Sequence, residues 1–293
     1  MSTIVLLLLT GLGLGALYFL VAAGLSLIWG LMRVLNFAHG AFFTVAAYAG
    51  FFVAGAVGST SWLGWFASVV AGTLAGGVFA TATELVLIRP LYRRPVGQVL
   101  VTVGLALATL ALVEGAFGAD PRQVSLPAWM SATTSVLGAA IPNTRFVVIV
   151  LALLVLAGLL YFLRRTRYGL IVRAGVENRD MVSALGIDVQ RAFTLVFAIG
   201  GMAAGLAGVL GATYYGTIDP GRGTAMLISA FIVVVIGGLG SIAGSALAAI
   251  LVGLLQQFLN FYAAAGVGDF AVVLLLAVVL LVRPGGLLGA NSA

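Results

Sequence analysis

Uncharged apolar runs of helical length recur from one end of the chain to the other. A helix needs about 20 apolar residues to cross the hydrocarbon core of a bilayer. Runs of roughly this length lie at 3–29, 37–57, 62–88, 97–119, 145–163, 192–215, 224–238, 242–262 and 268–282. The glycine-rich segment at 237–241 is either a turn between two helices or a break within one. We therefore expect an all-α, polytopic integral membrane protein with eight or nine transmembrane helices.

Few residues remain outside these runs. The first run follows no basic segment and is longer than the apolar region of a signal peptide, so we expect it to be the first span. The two longest connections, 120–144 and 164–191, are each too short to form a further domain. Residues 1–293 are thus predicted to form a single transmembrane domain.

The composition excludes most kinds of catalytic and metal site. The chain has no cysteine, one histidine and only 8% charged residues, and its fourteen basic residues are all arginine. Zinc and iron–sulfur sites, a cysteine nucleophile and a P-loop lysine are therefore ruled out. A serine nucleophile would have to pair Ser241 or Ser245 with His39, and no Gly-x-Ser-x-Gly sequence surrounds either serine. We expect no catalytic residue, no metal and no cofactor on this chain.

The arginines predict the orientation of the chain in the membrane. If the 164–191 connection is cytoplasmic, nine alternating spans place eleven arginines inside and only Arg122, Arg145 and Arg222 outside. Cytoplasmic loops carry an excess of arginine and lysine. This bias places the N-terminus outside, the C-terminus inside and the 120–144 loop outside. Because topology accounts for the net charge of +6, nucleic-acid binding is not predicted.

The cytoplasmic connection contains the signals of a short helix. Asn178 is a suitable N-cap, Asp180 favours the first turn, and Gly186 is a natural end. At helical spacing Met181, Val182 and Leu185 share one face. Either a protein partner or the lipid headgroups would cover such an apolar patch.

Three separated segments together indicate a family. The first is residues 30–41, Gly-Leu-Met-Arg-Val-Leu-Asn-Phe-Ala-His-Gly-Ala, and the second is the glycine-rich segment 237–244. The third is the cytoplasmic loop, which ends in Ala184-Leu185-Gly186-Ile187. These segments resemble the permease subunits of bacterial ABC importers for branched-chain amino acids, of the LivH type. The loop departs from that family's Glu-Ala-Ala pattern, because it has Ala174-Gly175 and Glu177.

The resemblance implies a transport function and a set of partners. It implies an importer that passes branched-chain amino acids, or a small polar solute such as urea or a short amide, into the cytoplasm by alternating access. The partners would be two cytoplasmic ATPase subunits that bind ATP and magnesium, a second, related permease subunit or a second copy, and an extracytoplasmic solute-binding protein. The cell location would be the bacterial inner membrane. The residues that contact the ATPase would be Glu177, Asn178, Asp180, Met181, Val182, Ala184, Leu185, Gly186 and Ile187.

Two groups of residues are candidates for the solute pathway, since polar or irregular segments at membrane depth are costly. The first group follows Arg33 and the second is the glycine-rich segment. They comprise Asn36, His39, Gly40, Gly237, Gly238, Gly240, Ser241 and Gly244. A structural role is equally compatible with each of them, as capping, packing or turn residues. The segment 219–223 is expected to be an external turn, either a contact for a binding protein or an ordinary turn.

Glu84 and Glu114 are the only carboxylates well inside the predicted spans. Glu84 lies near the inner end of its span, where it is expected to pair with Arg89 or Arg33, and Glu114 lies towards the outer end. The alternative function that these residues raise is a proton-coupled secondary transporter acting without an ATPase partner.

Overall fold

The computed structural model describes residues 2–33, 36–92, 94–177, 181–182 and 188–288. The chain is almost entirely helical over these residues. Its helices are α1 (Ser2–Met32), α2 (His39–Val57), α3 (Trp62–Thr83), α4 (Pro95–Phe117), α5 (Ala128–Ser131), α6 (Asn143–Arg165), α7 (Arg167–Glu177), α8 (Val189–Tyr215), α9 (Arg222–Gly237), α10 (Ile242–Tyr262) and α11 (Val267–Val282). The prediction of an all-α fold is confirmed.

Seven helical segments of the described chain are long and apolar enough to cross a membrane, and two more apolar helices are shorter. The third of the seven is α3 together with a π turn at Glu84–Ile88 and a 3-10 turn at Arg89–Leu91. The two shorter helices are α9 and α11, with 16 residues each. The expected number of eight or nine membrane helices agrees with this set.

Four short strands lie in the connections that the structure describes. The strands β2 (Thr133–Val136) and β3 (Ala139–Pro142) form an antiparallel hairpin within the expected external loop. The strand β1 (Arg122–Gln123) pairs with β4 (Thr217–Ile218), which follows α8. The 120–144 loop is therefore ordered by backbone pairing, and β1 ties it to the end of α8.

Two halves of the chain, α1–α4 and α8–α11, have the same order of elements. Each begins with a long helix, continues through a non-helical segment into a shorter helix, and then passes through a turn into a third and a fourth helix. The first helices of the two halves run antiparallel, since Gly24 faces Gly200 whereas Gly13 faces Tyr214. The halves therefore form an inverted repeat, an arrangement common in transporters.

The two turns before the third helices have the same sequence pattern, Gly-x-x-Ser-x-x-Gly, at 58–64 and at 238–244. In each turn the serine caps the following helix: Ser61 Oγ accepts from Gly64 N at 2.9 Å, and Ser241 Oγ accepts from Gly244 N at 3.1 Å. Each serine N–H also donates to the carbonyl of the first glycine. The local structure of the turn is thus repeated at both ends of the bundle.

Glycines bring the first helix of each half against the third helix of the other half. A Cβ at Gly15 of α1 would lie 2.6 Å from the Ala249 oxygen of α10. A Cβ at Gly76 of α3 would lie 2.5 Å from the Gly201 oxygen of α8. Because no side chain fits at these approaches, van der Waals packing of the backbones holds the helices together where no hydrophobic force acts between them. The glycine patterns at 11–15 and 201–208 are thus packing sites between helices.

Candidate functional site

The helix α2 begins at membrane depth, beside the middle of α1. His39 is its first residue, and its Nε2 lies 3.1 Å from the Val21 carbonyl oxygen. A rise of about 1.5 Å per residue places Val21 about 16 Å from Met32, the last residue of α1. The start of α2 therefore lies beside the middle of α1 and not level with the C-terminal end of α1.

The helix α9 begins at the same depth from the opposite direction. Gly223 lies in its first turn and packs against Gly40, where a Cβ on Gly40 would be 2.5 Å from the Gly223 oxygen. The Thr44 hydroxyl lies 3.4 Å from the carbonyl oxygen of Pro220, which is buried just before α9. The helices α2 and α9 thus meet at their N-terminal ends inside the bundle.

This finding corrects the expectation that 219–223 is an external turn. The chain turns back into the bundle after β4, so Pro220 and Gly223 are buried. Asp219 and Arg222 are partly buried and form an ion pair at 2.6 Å, whereas Gly221 is exposed. The sequence interpretation was wrong because an Asp-Pro-Gly turn looks the same at a surface and at the bottom of a re-entrant segment.

Asn36 and His39 shape the start of α2. Asn36 Oδ1 accepts from Ala38 N at 3.1 Å, and the Asn36 carbonyl accepts from His39 N at 3.3 Å. Both side chains are fully buried, and within the described chain Asn36 Nδ2 and His39 Nδ1 have no hydrogen-bond partner. Arg33 is exposed and has a positive φ of 52°. The geometry gives Asn36 and His39 the structural role of supporting a broken helix.

A cavity of about 190 Å³ lies where α2 and α9 begin. Gly40 and Ala41 in the first turn of α2, and Thr224 in that of α9, contribute to its wall. Side chains of α4 close the other side. The remaining lining residues are Phe37, Thr44, Val103, Ala106, Leu107, Thr109, Leu110, Pro220 and Leu227.

The chemistry of this cavity is mixed. Most of its surface is aliphatic, and three threonines supply hydroxyl groups. The N-terminal end of each helix carries a partial positive charge from the helix dipole, which favours an anionic group nearby. The cavity therefore combines an apolar wall with two helix N-termini, a combination suited to a small solute with an aliphatic part and a carboxylate.

The glycine-rich segment 237–244 lies at the other end of α9 and is a turn, not a break within one helix. Gly238 and Gly240 have positive φ values of 100° and 84°, which glycine adopts without steric cost. Gly240 packs against Gly30 near the C-terminal end of α1. From Gly223 to Gly237 the helix extends about 21 Å. The structure thus separates Gly237, Gly238, Gly240, Ser241 and Gly244 from the cavity that Gly40 lines.

Sequence reasoning missed the residues that α4 contributes to the cavity. Thr109 is buried and lines the cavity. Thr102 is buried on the same helix but does not line the cavity, and its hydroxyl accepts from Phe37 N at 3.3 Å. A threonine among aliphatic residues is the available signal, since the three residues before and after each of them are apolar or small. Threonine is common in membrane helices, however, so the pattern does not single out these two.

The 164–191 connection contains a helix that sequence analysis did not predict. The helix α7 comprises Arg167–Glu177, just before the helix expected to start at Asn178. Val172 of α7 is buried in the main core. Of the expected coupling residues, Asn178, Asp180, Ala184, Leu185, Gly186 and Ile187 lie outside the described residues.

The predicted apolar patch is divided by the structure. Met181 is 64% exposed, whereas Val182 is 4% exposed and belongs to the main hydrophobic core. Because Val182 packs inside the chain, its assignment to an exposed docking surface was wrong. Met181 keeps the exposure that a contact with a partner requires.

The two membrane carboxylates have different surroundings. Glu84 is fully buried and forms an ion pair with Arg89, with 3.5 Å between Oε1 and Nε, which confirms the expected pairing. Glu114 is exposed on α4, one turn before Gly118 at the C-terminal end of that helix. The described residues contain no group of three or more acidic or histidine side chains that could hold a metal.

Comparison with known proteins identifies the family. The model of the branched-chain amino acid transport system permease component matches residues 7–283. The chain belongs to this family. The match includes both halves of the inverted repeat, the cavity and α7.

Several curated relatives extend over nearly the whole chain. The high-affinity branched-chain amino acid transport system permease protein LivH of Salmonella typhimurium is 30% identical, covering 95% of this chain and 93% of LivH. The corresponding BraD protein of Pseudomonas aeruginosa is 31% identical, covering 96% of this chain and 94% of BraD. The autoinducer 2 import system permease protein LsrD of Yersinia enterocolitica is 35% identical over 44% of this chain and 39% of LsrD. No solved structure matches the chain.

Proposed function

We propose that this chain is the permease subunit of an ATP-driven importer and passes branched-chain amino acids into the cytoplasm by alternating access. The observation that carries the proposal is the cavity between the N-terminal ends of α2 and α9. Its aliphatic wall suits a branched side chain, and the two helix ends suit a carboxylate. Relatives of this family carry permease names for branched-chain amino acids and for autoinducer 2, so a small polar solute such as urea or a short amide is a further candidate.

The energy source is proposed to lie on other chains. No lysine is present for a P-loop, so ATP and magnesium would bind to two cytoplasmic ATPase subunits. The 164–191 connection would contact them through Met181 and its neighbours. A second permease subunit, related or identical, and an extracytoplasmic solute-binding protein would complete the importer in the bacterial inner membrane, with the N-terminus of this chain outside and its C-terminus inside.

The placement of α2 and α9 supports alternating access. One non-helical segment opens α2 from the inner side, and the other opens α9 from the outer side. A movement that separates one half of the repeat from the other on one face closes them on the opposite face. The cavity then communicates with one side of the membrane at a time.

The test is purification of the complex from its native membrane, followed by uptake measurements in liposomes. We expect a P-loop ATPase to co-purify with the chain, and uptake of leucine, isoleucine or valine to require ATP inside the vesicle and a solute-binding protein outside. Uptake by the chain alone, driven by a pH gradient, would contradict this proposal and favour the proton-coupled carrier.

A matched pair of variants tests the docking surface. Met181→Asp introduces a charge at an exposed cytoplasmic residue and is expected to remove the ATPase from the purified complex. Leu137→Asp is the control, because Leu137 is 81% exposed at the tip of the β2–β3 hairpin in the expected external loop. If both variants retain the ATPase equally well, Met181 is not part of the contact.

A further inference from the structure

Glu84 joins three elements at the inner end of the bundle. Its Oε2 accepts a hydrogen bond from the Thr194 hydroxyl of α8 at 2.8 Å. Its Oε1 accepts from the Tyr92 hydroxyl and lies 3.5 Å from Arg89 Nε. Arg89 also donates to the Thr194 hydroxyl, at 3.1 Å. A fully buried carboxylate thus holds α8, α3 and the connection to α4 in one hydrogen-bonded cluster.

The α8 side of this cluster lies directly after the 164–191 connection, which we call the coupling connection because it is proposed to contact the ATPase. Asp188 caps α8, with its Oδ1 accepting from Gln190 N at 3.1 Å and from Arg191 N at 3.2 Å. Thr194 lies in the second turn of the same helix. A displacement of the coupling connection that moves the start of α8 therefore moves the Thr194 hydroxyl as well.

The other side of the cluster leads to α4. Glu84 is the first residue of a π turn, an element that is rare and often marks functional positions. Tyr92 lies just before α4, and Gln98 in the first turns of α4 donates to the Leu91 carbonyl at 2.8 Å. The helix α4 then provides Thr109 and its aliphatic neighbours to the wall of the cavity.

We propose that Glu84 is a positioning residue that transmits movement of the coupling connection from α8 to α4 and so to the cavity. This inference rests on the proposed function. An apolar contact between α3 and α8 would allow the helices to slide, because it is non-directional. A buried carboxylate with several donors fixes their relative position, because breaking one of its bonds leaves a buried polar group unsatisfied.

The first experiment cuts the cluster at α8 and leaves the ion pair intact. Thr194→Val keeps the shape of the side chain and removes the hydroxyl that contacts both Glu84 and Arg89. In the complex reconstituted with its ATPase, we expect ATP hydrolysis to continue while the number of solute molecules taken up per ATP falls about tenfold. Thr194→Ser, which keeps the hydroxyl, is expected to restore the wild-type ratio.

Thr83→Val is the matched control. Thr83 is buried next to Glu84, and its hydroxyl donates at 2.8 Å only within its own helix, to the Phe79 carbonyl. The same loss of a hydroxyl should leave the ratio of uptake to ATP hydrolysis unchanged here. An equal fall in the two valine variants, or an unchanged ratio in Thr194→Val, would overturn the role of Glu84.

A distance measurement gives a readout that does not depend on the transport rate. The chain has no cysteine, so spin labels can be placed on the variant Gln190→Cys and Val96→Cys, both at exposed residues that flank the cluster. With Thr194 present, the distance between the labels should stay constant between the ATP-free and ATP-bound complexes. In the Thr194→Val background it should change, and an equally constant distance in both would contradict the proposal.

These measurements separate the two hypotheses. If the wild-type complex shows no ATP-dependent uptake, the proposed function fails. If wild-type uptake depends on ATP and Thr194→Val keeps the full ratio, only the role of Glu84 fails.

Discussion

The two Gly-x-x-Ser-x-x-Gly turns have the same local structure and different surroundings. We call the 58–64 turn, on the expected external side of the membrane, the outer turn, and the 238–244 turn, on the expected cytoplasmic side, the inner turn. At the outer turn, residues 60–63 are exposed. At the inner turn, Gly240 packs on Gly30, and Gly286 packs on Gly238. The C-terminal segment also donates from Leu287 N to the Ile236 carbonyl at 2.8 Å. The inner turn is held on two sides, whereas the outer turn is held mainly through its own helices.

The end of the bundle with the inner turn is therefore better suited to transmit movement. The inner turn lies beside the end of α1, and the Glu84 cluster is at the inner end of α3. Rigid, well-packed elements transmit a displacement, because packed interiors have few voids to absorb it. The outer turn has more exposed surface and fewer fixed neighbours. The inverted repeat is thus symmetric in its backbone and asymmetric in its packing.

We expect the strongest loss of uptake from variants that break the contact between the two halves at the cavity. Gly40→Leu places a side chain against the backbone of α9, and Gly223→Leu places one against the backbone of α2. At both positions a Cβ alone already overlaps with the facing backbone. We expect each variant to abolish uptake and to destabilise the protein by about 3 kcal/mol or more. Uptake in liposomes and thermal unfolding in detergent measure the two effects. Wild-type uptake in either variant would show that the two helices do not meet as described.

The next effect compares the two glycine interfaces. Gly15→Ala and Gly76→Ala each introduce a methyl group within 2.6 Å of a backbone oxygen. We expect both to lower the free energy of unfolding by about 1–3 kcal/mol, since the overlap outweighs the gain in helix propensity. Gly104→Ala is the control, because nothing lies within 4 Å of its Cβ position. The control is expected to be neutral or stabilising, and a loss confined to one of the two interfaces would contradict the equivalence of the halves.

Much of this arrangement could be predicted from the sequence. The apolar runs identified the helices, because membrane thickness fixes the length of a span. The pairing of Glu84 with Arg89 followed from the cost of a buried charge. The glycine patterns at 11–15 and 201–208 predicted close packing, although not the helices they would approach, because small residues indicate proximity and not the identity of the neighbour.

The candidate site could be predicted only in part. The start of α2 was recognised by its polar residues, yet its depth depends on the contact of His39 with Val21, which is far along the chain. The re-entry before α9 was missed, because the residues at 216–223 form turns equally well at a surface. The threonines of α4 were missed because their role depends on which helices pack beside them, and a single sequence does not record that packing.

A third prediction compares the polar contacts at the starts of α2 and α9. His39 is fully buried and contacts α1, whereas the Asp219–Arg222 pair at the start of α9 is partly exposed. We expect His39→Leu to lower the initial rate of uptake about tenfold, because α2 loses its polar contact with α1. Arg222→Gln should lower it by less than about threefold, since a partly exposed ion pair contributes little. Equal effects in uptake assays would show that burial does not distinguish the two sites.

The last prediction compares the two serine caps, whose removal should cause only a small loss of stability. Ser61→Ala and Ser241→Ala each remove the side chain that accepts from the glycine three residues later. Loss of an N-cap costs about 0.5–2 kcal/mol, and water replaces part of the lost bond at an exposed residue. Ser61 is exposed and Ser241 is half-buried, so we expect the larger loss at Ser241. Thermal unfolding of the two alanine variants measures the difference, and a larger loss at Ser61 would show that the outer turn, not the inner one, is the more firmly held.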